Sequence, residues 1–442
     1  MEKGYTTTKT RFVRMTLLHP HLFILNSPFS ILHPQFSILD FVRLVLLTFL
    51  AGCLTIADGV RGQEQGVMRY RRFGKTEMRV SVLSLGLMRY MSPDPEVSGA
   101  VVRRAVALGI NHLETARGYG DSEQLLGLAL KTIDRSKVYI TTKVVPAATY
   151  DEFMNNFETS MTALGIDVLD NLDVHGINNP QKLAWATDEK STWRAVRKLM
   201  DSGAVRHVGF STHGPLPIVL QAIDTGMFES VNLHHYWFYK VLEPAVARAA
   251  ERDMGVFIIS PNEKGGMLFR PTEKLRRLSE PFHPMHLNQR WLLSDPRVHT
   301  LAVGPTVAGE LDLHMAVADA VGPLSPAERA ALDRWARVHR EALGKDFCTE
   351  CGACLPCPQG IDIPEILRLR NAAIAFDMTE YGSFRYNLLD GSYDWFRGPA
   401  GDHCTECGEC LPRCPEKLDI PRLLFDAHDL LKTGSGKRLW KT

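Results

Sequence analysis

The sequence has almost no net charge, no apolar run long enough to cross a membrane, and few cysteines outside one region. Its 51 Lys and Arg residues balance 50 Asp and Glu residues, which gives a formal net charge of +1 and argues against nucleic acid as an obligate partner. Of nine cysteines, all but Cys53 lie between Cys348 and Cys414. They therefore form a local site and exclude a disulfide framework spread over the chain.

The first 67 residues do not have the pattern of a folded domain. A seven-residue segment at 24–30 is echoed at 31–37, and its prolines exclude a coiled coil. The uncharged run Leu44–Ala57 has 14 residues, whereas a spanning helix needs about 20. It resembles a signal-peptide core, and residues 50–53 resemble a lipoprotein cleavage site. We expect residues 1–67 to be a non-globular extension, either an over-long start before Met68 or a signal-like segment, and we expect a cytoplasmic protein over an exported one.

From Met68 onward, strand and helix patterns alternate, which predicts a parallel sheet covered by helices. The expected strands begin with Val82–Leu87 and end with Thr300–Val303. Among the expected helices are Glu96–Leu108, Asp151–Leu164 and Thr187–Ser202. Eight such units fit a (β/α)8 TIM barrel, which typically has about 250 residues. We place this α/β barrel domain at residues 68–325.

Three successive predicted βα units end in chemically active side chains. Glu114 ends one strand, and Tyr119 follows five residues later on a glycine-containing loop. Lys143 and His175 end the next two strands. Catalytic groups of parallel barrels lie at this end of the strands. A buried lysine is costly without a partner, and Glu114 is the obvious candidate.

This order of motifs resembles the aldo-keto reductases over roughly Met68 to Ala320. The family segment reads Asp-Thr-Ala, then Tyr-Gly and Ser-Glu, and this chain keeps all of it except the carboxylate, where Glu114 replaces Asp. The resemblance implies hydride transfer between a nicotinamide cofactor and a carbonyl or alcohol. It further implies that Tyr119 supplies the proton, that Lys143, oriented by Glu114, lowers the tyrosine pKa, and that His175 orients the carbonyl oxygen.

The same resemblance implies a cofactor site on the later strands. Its expected residues are Ser211, Thr212, Asn232, Ser260, Gly304 and Thr306. Thr212 and Asn232 stand where the family has Asn and Gln, and both keep hydrogen-bonding ability. Glu310 and Asp312 follow the expected phosphate turn, and no Arg or Lys lies nearby to pair a 2′-phosphate. The cofactor is therefore NADPH, by family habit, or NADH.

Two similar cysteine runs follow a polar helical linker at 326–342. The expected metal ligands are Cys348, Cys351, Cys354 and Cys357 in the first run, and Cys404, Cys407, Cys410 and Cys414 in the second. The second run has the bacterial ferredoxin spacing, whereas the first is one residue short before its fourth cysteine. Iron–sulfur ligation is favoured over zinc, whose sites more often use separate C-x₂-C pairs.

The region 326–442 therefore resembles the dicluster ferredoxin-type domain fused to some aldo-keto reductases, with two [4Fe-4S] clusters. In ferredoxins the fourth cysteine of each run serves the other cluster, so Cys357 would join the second run and Cys414 the first. The short spacing before Cys357 leaves open that each run holds its own cluster.

The resulting prediction is an oxidoreductase barrel for a small-molecule carbonyl or alcohol, joined to a small ferredoxin-like iron–sulfur domain. An electron-transfer or regulatory protein whose barrel binds nicotinamide with little turnover is the alternative. A third possibility is an exported interaction protein with structural clusters. A redox partner protein, the substrate and the direction of reaction are left open.

Overall fold

The computed structural model describes residues 67–433 apart from 90–93, 264–266, 392–395 and 397. The predicted N-terminal extension therefore lies almost wholly outside the described residues. The described residues fall in one compact unit, so the barrel and the cysteine-containing region belong to the same body.

Ten strands and fourteen α-helices are described. The strands are β1 Tyr70–Arg72, β2 Arg79–Ser81, β3 Leu83–Gly86, β4 His112–Glu114, β5 Tyr139–Val144, β6 Leu169–Val174, β7 Val205–Ser211, β8 Ser230–Leu233, β9 Gly255–Ile258 and β10 Thr300–Val303. The helices are α1 Pro95–Ala107, α2 Ser122–Leu130, α3 Tyr150–Leu164, α4 Pro180–Thr187, α5 Thr192–Asp201, α6 Leu216–Asp224, α7 Glu243–Glu251, α8 Glu273–Ser279, α9 Pro284–Ser294, α10 Glu310–His314, α11 Pro326–Leu343, α12 Ile363–Phe376, α13 Thr379–Tyr386 and α14 Ile420–Leu431.

Strands β3 to β10 form a closed parallel barrel in chain order, with β10 paired to β3. The apolar residues of these strands are almost fully buried, because parallel strands are covered by barrel contents on one side and helices on the other. This architecture confirms the predicted (β/α)8 fold. It also brings the carboxyl ends of all eight strands to one face.

The antiparallel hairpin β1–β2 closes the opposite end of the barrel. Phe73, Met78 and Val80 of the hairpin form a separate apolar cluster with Phe257 of β9. The backbone at Gly74 bridges to Met254, just before β9 begins, which locates the hairpin at the amino ends of the strands. The hairpin does not cover the face that carries the carboxyl ends of the strands, where the predicted catalytic residues lie.

The single helix predicted at Thr187–Ser202 is wrong, because this stretch contains the end of α4 and the whole of α5. Helix α4 begins at Pro180, where the Asn179 side chain accepts a hydrogen bond from the Lys182 amide. The break follows at Asp188, whose carboxylate accepts from the Lys190 amide and the Ser191 hydroxyl. A carboxylate that bonds its own backbone in this way favours a turn over continued helix.

The region after the barrel is helical, and its described residues contain no strand. Helix α11 begins with a capping box between Ser325 and Glu328. The two Asp-Ile-Pro segments start α12 and α14, where Asp362 and Asp419 each cap the helix with their side chains. Each cysteine run thus leads directly into an equivalent helix start.

The cysteine-containing region is joined to the carboxyl-end face of the barrel by a buried ionic cluster. The Arg368 guanidinium of α12 donates to Glu365 of its own helix, to Glu263 in the loop after β9 at 3.0 Å, and to the Phe238 carbonyl in the loop after β8. Tyr381 of α13 also donates to Glu263. Two loops of the catalytic face are therefore held by the cysteine-containing region.

Candidate active site

Lys143 is the centre of the predicted catalytic group. Its side chain is 1% exposed and its Nζ contacts the Glu114 carboxylate. The same ammonium donates to the Tyr119 hydroxyl and to the Thr115 carbonyl, both at 3.0 Å. Because β4 and β5 are adjacent and parallel, their carboxyl ends bring Glu114 and Lys143 together. The extra methylene of Glu relative to Asp does not prevent the pairing.

The electrostatics of this group follow from its burial. Burial lowers the pKa of Lys143 to about 7, and the negative charge of Asp173 opposes that shift. Burial raises the pKa of Tyr119 above its ordinary value, and Asp173 raises it further. The Tyr119 phenol is therefore protonated at neutral pH, and the Lys143 side chain donates a hydrogen bond to its oxygen. Such a pair can deliver a proton to a developing alkoxide.

His175, at the end of β6, completes the predicted catalytic set. Its ring meets the Tyr119 ring edge-on, with centroids 5.8 Å apart. Burial, together with the Lys143 charge, lowers the pKa of His175 well below its ordinary value. The imidazole is therefore neutral, and it can donate a hydrogen bond to a carbonyl oxygen without adding a positive charge.

The predicted cofactor residues also lie along the carboxyl-end face. Ser211 at the end of β7 is directly paired with Asn232 of β8, and both are buried. Ser260 lies two residues beyond β9 and has a left-handed backbone, with φ of 51°. Gly304 and Thr306 follow β10 on the surface. These residues lie at or just beyond the carboxyl ends of their strands.

The predicted cofactor residues differ in whether their polar side-chain atoms are free to hydrogen-bond a ligand. The Oδ1 of Asn232 is buried and has no hydrogen-bond partner among the described residues. A buried carbonyl oxygen left in this way suits an amide donor such as a nicotinamide carboxamide. The Thr212 hydroxyl instead donates to the Ile177 carbonyl and accepts from the Gly214 amide. Its observed role is to hold two loops together.

The expected phosphate turn is partly filled by the chain itself. The Thr306 amide donates to the Glu310 carboxylate at 2.7 Å, and the Thr306 hydroxyl does so at 3.2 Å. The expectation that no basic residue lies near the phosphate turn is wrong for the folded chain. The side chain of Arg89, just beyond β3, lies beside the turn, with its Cδ 3.9 Å from the position that a Cβ on Gly304 would take. The negative charge of Glu310 favours the charged form of the Arg89 guanidinium.

Sequence reasoning thus missed Arg89 and Asp173. Arg89 comes from the opposite end of the barrel sequence, so only the closure of β10 on β3 brings it to the turn. Asp173 did have a signal, because it is two residues before His175 and shares its face of the strand. It is 2% exposed, and Lys143 lies directly opposite it in the strand register.

The eight cysteines of the second region divide between two small cavities. One cavity is lined by Cys357 together with Cys404, Cys407 and Cys410. The other is lined by Cys414 together with Cys348, Cys351 and Cys354. The fourth cysteine of each run therefore lies with the other run. Despite the shorter spacing before Cys357, the crossed ferredoxin arrangement is geometrically accessible.

The donor set fits a thiolate-bound cluster. All eight thiols are free of disulfides, and four thiolates per group are the ligands that a [4Fe-4S] cluster takes. Within the part of the chain that the structure describes, no three His, Cys, Asp or Glu side chains converge as ligands of a single metal ion would.

Comparisons with known proteins agree with this geometry. Residues 82–268 match the aldo/keto reductase family, and residues 347–418 match the 4Fe-4S dicluster domain. An aldo-keto reductase of Mycobacterium sp. (strain JLS) is 30% identical over 200 residues, covering 43% of this chain and 68% of that protein. The chain belongs to the aldo-keto reductase family. An uncharacterized oxidoreductase of Mycobacterium tuberculosis (strain ATCC 25618 / H37Rv) is 27% identical over 315 residues, covering 62% of this chain and 94% of that protein.

Solved aldo-keto reductase structures share the barrel fold. The holo form of an enzyme from Bacillus halodurans has a TM-score of 0.52 at 22% identity, covering 60% of this chain and 96% of that one. An enzyme from Klebsiella pneumoniae in complex with NADPH has a TM-score of 0.51 at 22% identity, covering 61% and 95%. This aldo-keto reductase thus extends beyond the barrel by its dicluster domain. None of its described helices has the length and apolar character required to span a membrane.

Proposed function

We propose that this aldo-keto reductase transfers hydride between a nicotinamide cofactor and a carbonyl or alcohol substrate. One observation carries the proposal: a single buried ammonium, Lys143, contacts both the Glu114 carboxylate and the Tyr119 hydroxyl. An apolar core does not require this combination of groups, whereas proton transfer to a substrate oxygen does.

Each residue of the set has a separate task. Tyr119 donates its proton to the carbonyl oxygen in the reduction direction. Lys143 stabilises the tyrosinate that is left behind, and Glu114 holds Lys143 in contact with the phenol. Neutral His175 orients the carbonyl oxygen by donating a hydrogen bond. A bound nicotinamide would supply or accept the hydride, and Asn232 and Ser211 would hold its carboxamide.

We further propose that the dicluster domain holds two [4Fe-4S] clusters, one in each group of four cysteines. Its attachment to the loops after β8 and β9 supports an electron-transfer role coupled to the barrel, because those loops continue from strands that carry predicted cofactor residues. The alternative, a barrel that binds the nicotinamide with little turnover, predicts cofactor affinity without substrate reduction. A cytoplasmic location remains part of the proposal.

The test is turnover of the full, iron-loaded chain with NADH and NADPH against a panel of aldehydes, ketones and quinones. We expect oxidation of the nicotinamide with at least one carbonyl, and a loss of about 10²–10⁴ in kcat for Tyr119→Phe with unchanged cofactor affinity. The matched control is Tyr139→Phe. Tyr139 is the first residue of β5, at the amino end of the strand and away from the catalytic face. Equal turnover by the Tyr119 variant and the parent would contradict the mechanism. Cofactor binding without any turnover would favour the alternative.

A further inference from the structure

A second carboxylate, Asp173, shares the interior of the barrel with the catalytic lysine. In the parallel pairing of β5 and β6, Asp173 lies directly opposite Lys143, and both side chains are almost fully buried. Glu114 already contacts the Lys143 ammonium from β4. A buried carboxylate that serves only the fold would be expensive here, so its presence requires a reason.

The surroundings of Asp173 are built to accommodate a charged side chain. The Asn171 amide donates to its Oδ1 at 2.8 Å. Burial raises the pKa of Asp173, whereas the Lys143 charge and hydrogen bonds from the Asn171 and Asn232 side chains oppose that rise and favour the carboxylate. On the other side, Asp173 is paired with Gly209 of β7. A Cβ on Gly209 would collide with Asp173 Oδ1 and with the Ser230 hydroxyl. The missing side chain at position 209 therefore provides the space that the carboxylate occupies.

The charged and titratable groups around this lysine come from each neighbouring element. Strand β4 contributes Glu114 and His112, the loop after it contributes Tyr119, and β6 contributes Asp173 and His175. Both imidazoles are neutral, because burial and the Lys143 charge lower their pKa values. The Asp173 carboxylate opposes the burial that drives Lys143 toward its neutral form, and the Glu114 carboxylate contacts the ammonium from β4.

We propose that Asp173 is a positioning residue for catalysis, whose carboxylate faces Lys143 across the strand pair and keeps the ammonium charged and in contact with Tyr119. The proposal rests on the proposed hydride-transfer function. Since Asp173 touches neither substrate nor hydride, its effect is exerted through Lys143. Its removal should limit activity at high pH, where Lys143 loses its proton first, and should leave activity at low pH nearly intact.

The test is the pH profile of kcat/KM for Asp173→Asn in the iron-loaded chain, with a substrate that the parent reduces. The basic limb of this profile is the fall in kcat/KM as the pH rises. We expect it to move to lower pH by about one unit or more, since an opposite charge nearby typically shifts a pKa by about 1–3 units. At a pH well above the limb, activity should fall about tenfold or more. At a pH well below it, activity should stay within about threefold of the parent.

The matched control is Asp170→Asn on the same strand. Asp170 is equally buried but pairs with Arg135 and Arg206 and not with Lys143. That variant should lose stability, because it weakens both ion pairs, yet its pH profile should match that of the parent. A uniform loss of activity across the pH range in Asp173→Asn, or an unmoved limb, would overturn the proposal. Absence of turnover in the parent would instead refute the proposed function.

A second variant covers the case in which Asp173→Asn does not fold. The double change Gly209→Ala and Ser230→Ala removes the collision with the Ser230 hydroxyl but keeps the one with Asp173 Oδ1. The carboxylate is then displaced without being neutralised. The limb should move in the same direction as in Asp173→Asn, whereas Ser230→Ala alone should leave it in place. A double variant with the parent's pH profile would contradict the proposal.

Discussion

The attachment of the dicluster domain to the barrel can be tested through Arg368. This guanidinium is 2% exposed and lies between two buried carboxylates, Glu263 from the barrel and Glu365 from its own helix. Replacing it with methionine keeps much of the volume but removes the cation that contacts both carboxylates, so that Arg385, 3.9 Å from Glu365, is the nearby cation that remains for that carboxylate. Removing one partner of a buried ion pair typically costs about 3–5 kcal/mol in the free energy of unfolding.

The assay is urea unfolding followed by tryptophan fluorescence, since Trp237 and Trp335 lie in the aromatic contact between the barrel and the second region. The control is Arg422→Met, whose ion pair with Asp346 is exposed, and its loss should cost about 0–1 kcal/mol. The double variant Arg368→Met, Glu263→Gln should recover part of the loss, because it removes both charges. Equal destabilisation by Arg368→Met and Arg422→Met would refute this account of the interface.

The remaining predictions concern the two sites. Glu114→Asp should retain more kcat than Glu114→Gln, because only Asp keeps a charge for Lys143; equal kinetics of both variants and the parent would make position 114 scaffold. Because the Glu310 carboxylate occupies the Thr306 donors and also faces the positive charge of Arg89, NADH should be used with a KM about tenfold below that of NADPH, since a carboxylate suits a ribose hydroxyl and repels a 2′-phosphate. Glu310→Gln should narrow the ratio of the two KM values by leaving Arg89 without this opposing charge, and a preference of the parent for NADPH would contradict this prediction. Anaerobically prepared protein should contain about eight irons per chain. Cys357→Ala should lose the cluster of the second run and keep the other, so that loss of the first-run cluster alone would contradict the crossed ligation.

Much of the barrel could be predicted because each strand is a short apolar run with its own turn signals. The bounds of β10 agree with those expected, and β3 covers Leu83–Gly86 of the expected Val82–Leu87. The break between α4 and α5 was not predicted, because Asp188 ends the helical pattern through side-chain bonds that the apolar spacing does not reveal. Periodicity reports which face is buried and says less about where a polar side chain interrupts the backbone.

The candidate site was only partly predictable for a similar reason. Glu114, Tyr119, Lys143 and His175 could be identified because strand ends in a parallel barrel share one face. Arg89 could not be associated with the Gly304 turn, since their proximity depends on barrel closure and on the path of a loop. The contacts of Arg368 with Glu263 likewise depend on how two regions pack, which local sequence patterns do not encode.

The ion pairs that hold α12 against the loops after β8 and β9 have a consequence for how this protein is made. Helix α12 begins directly after the first cysteine run, so the position of Arg368 depends on how that run is folded around its metal. Metal binding and folding are coupled in small domains of this kind. A chain made without iron would lack the support of two loops at the catalytic face. The proposed clusters would thus stabilise two loops of the catalytic face as well as the domain that holds them.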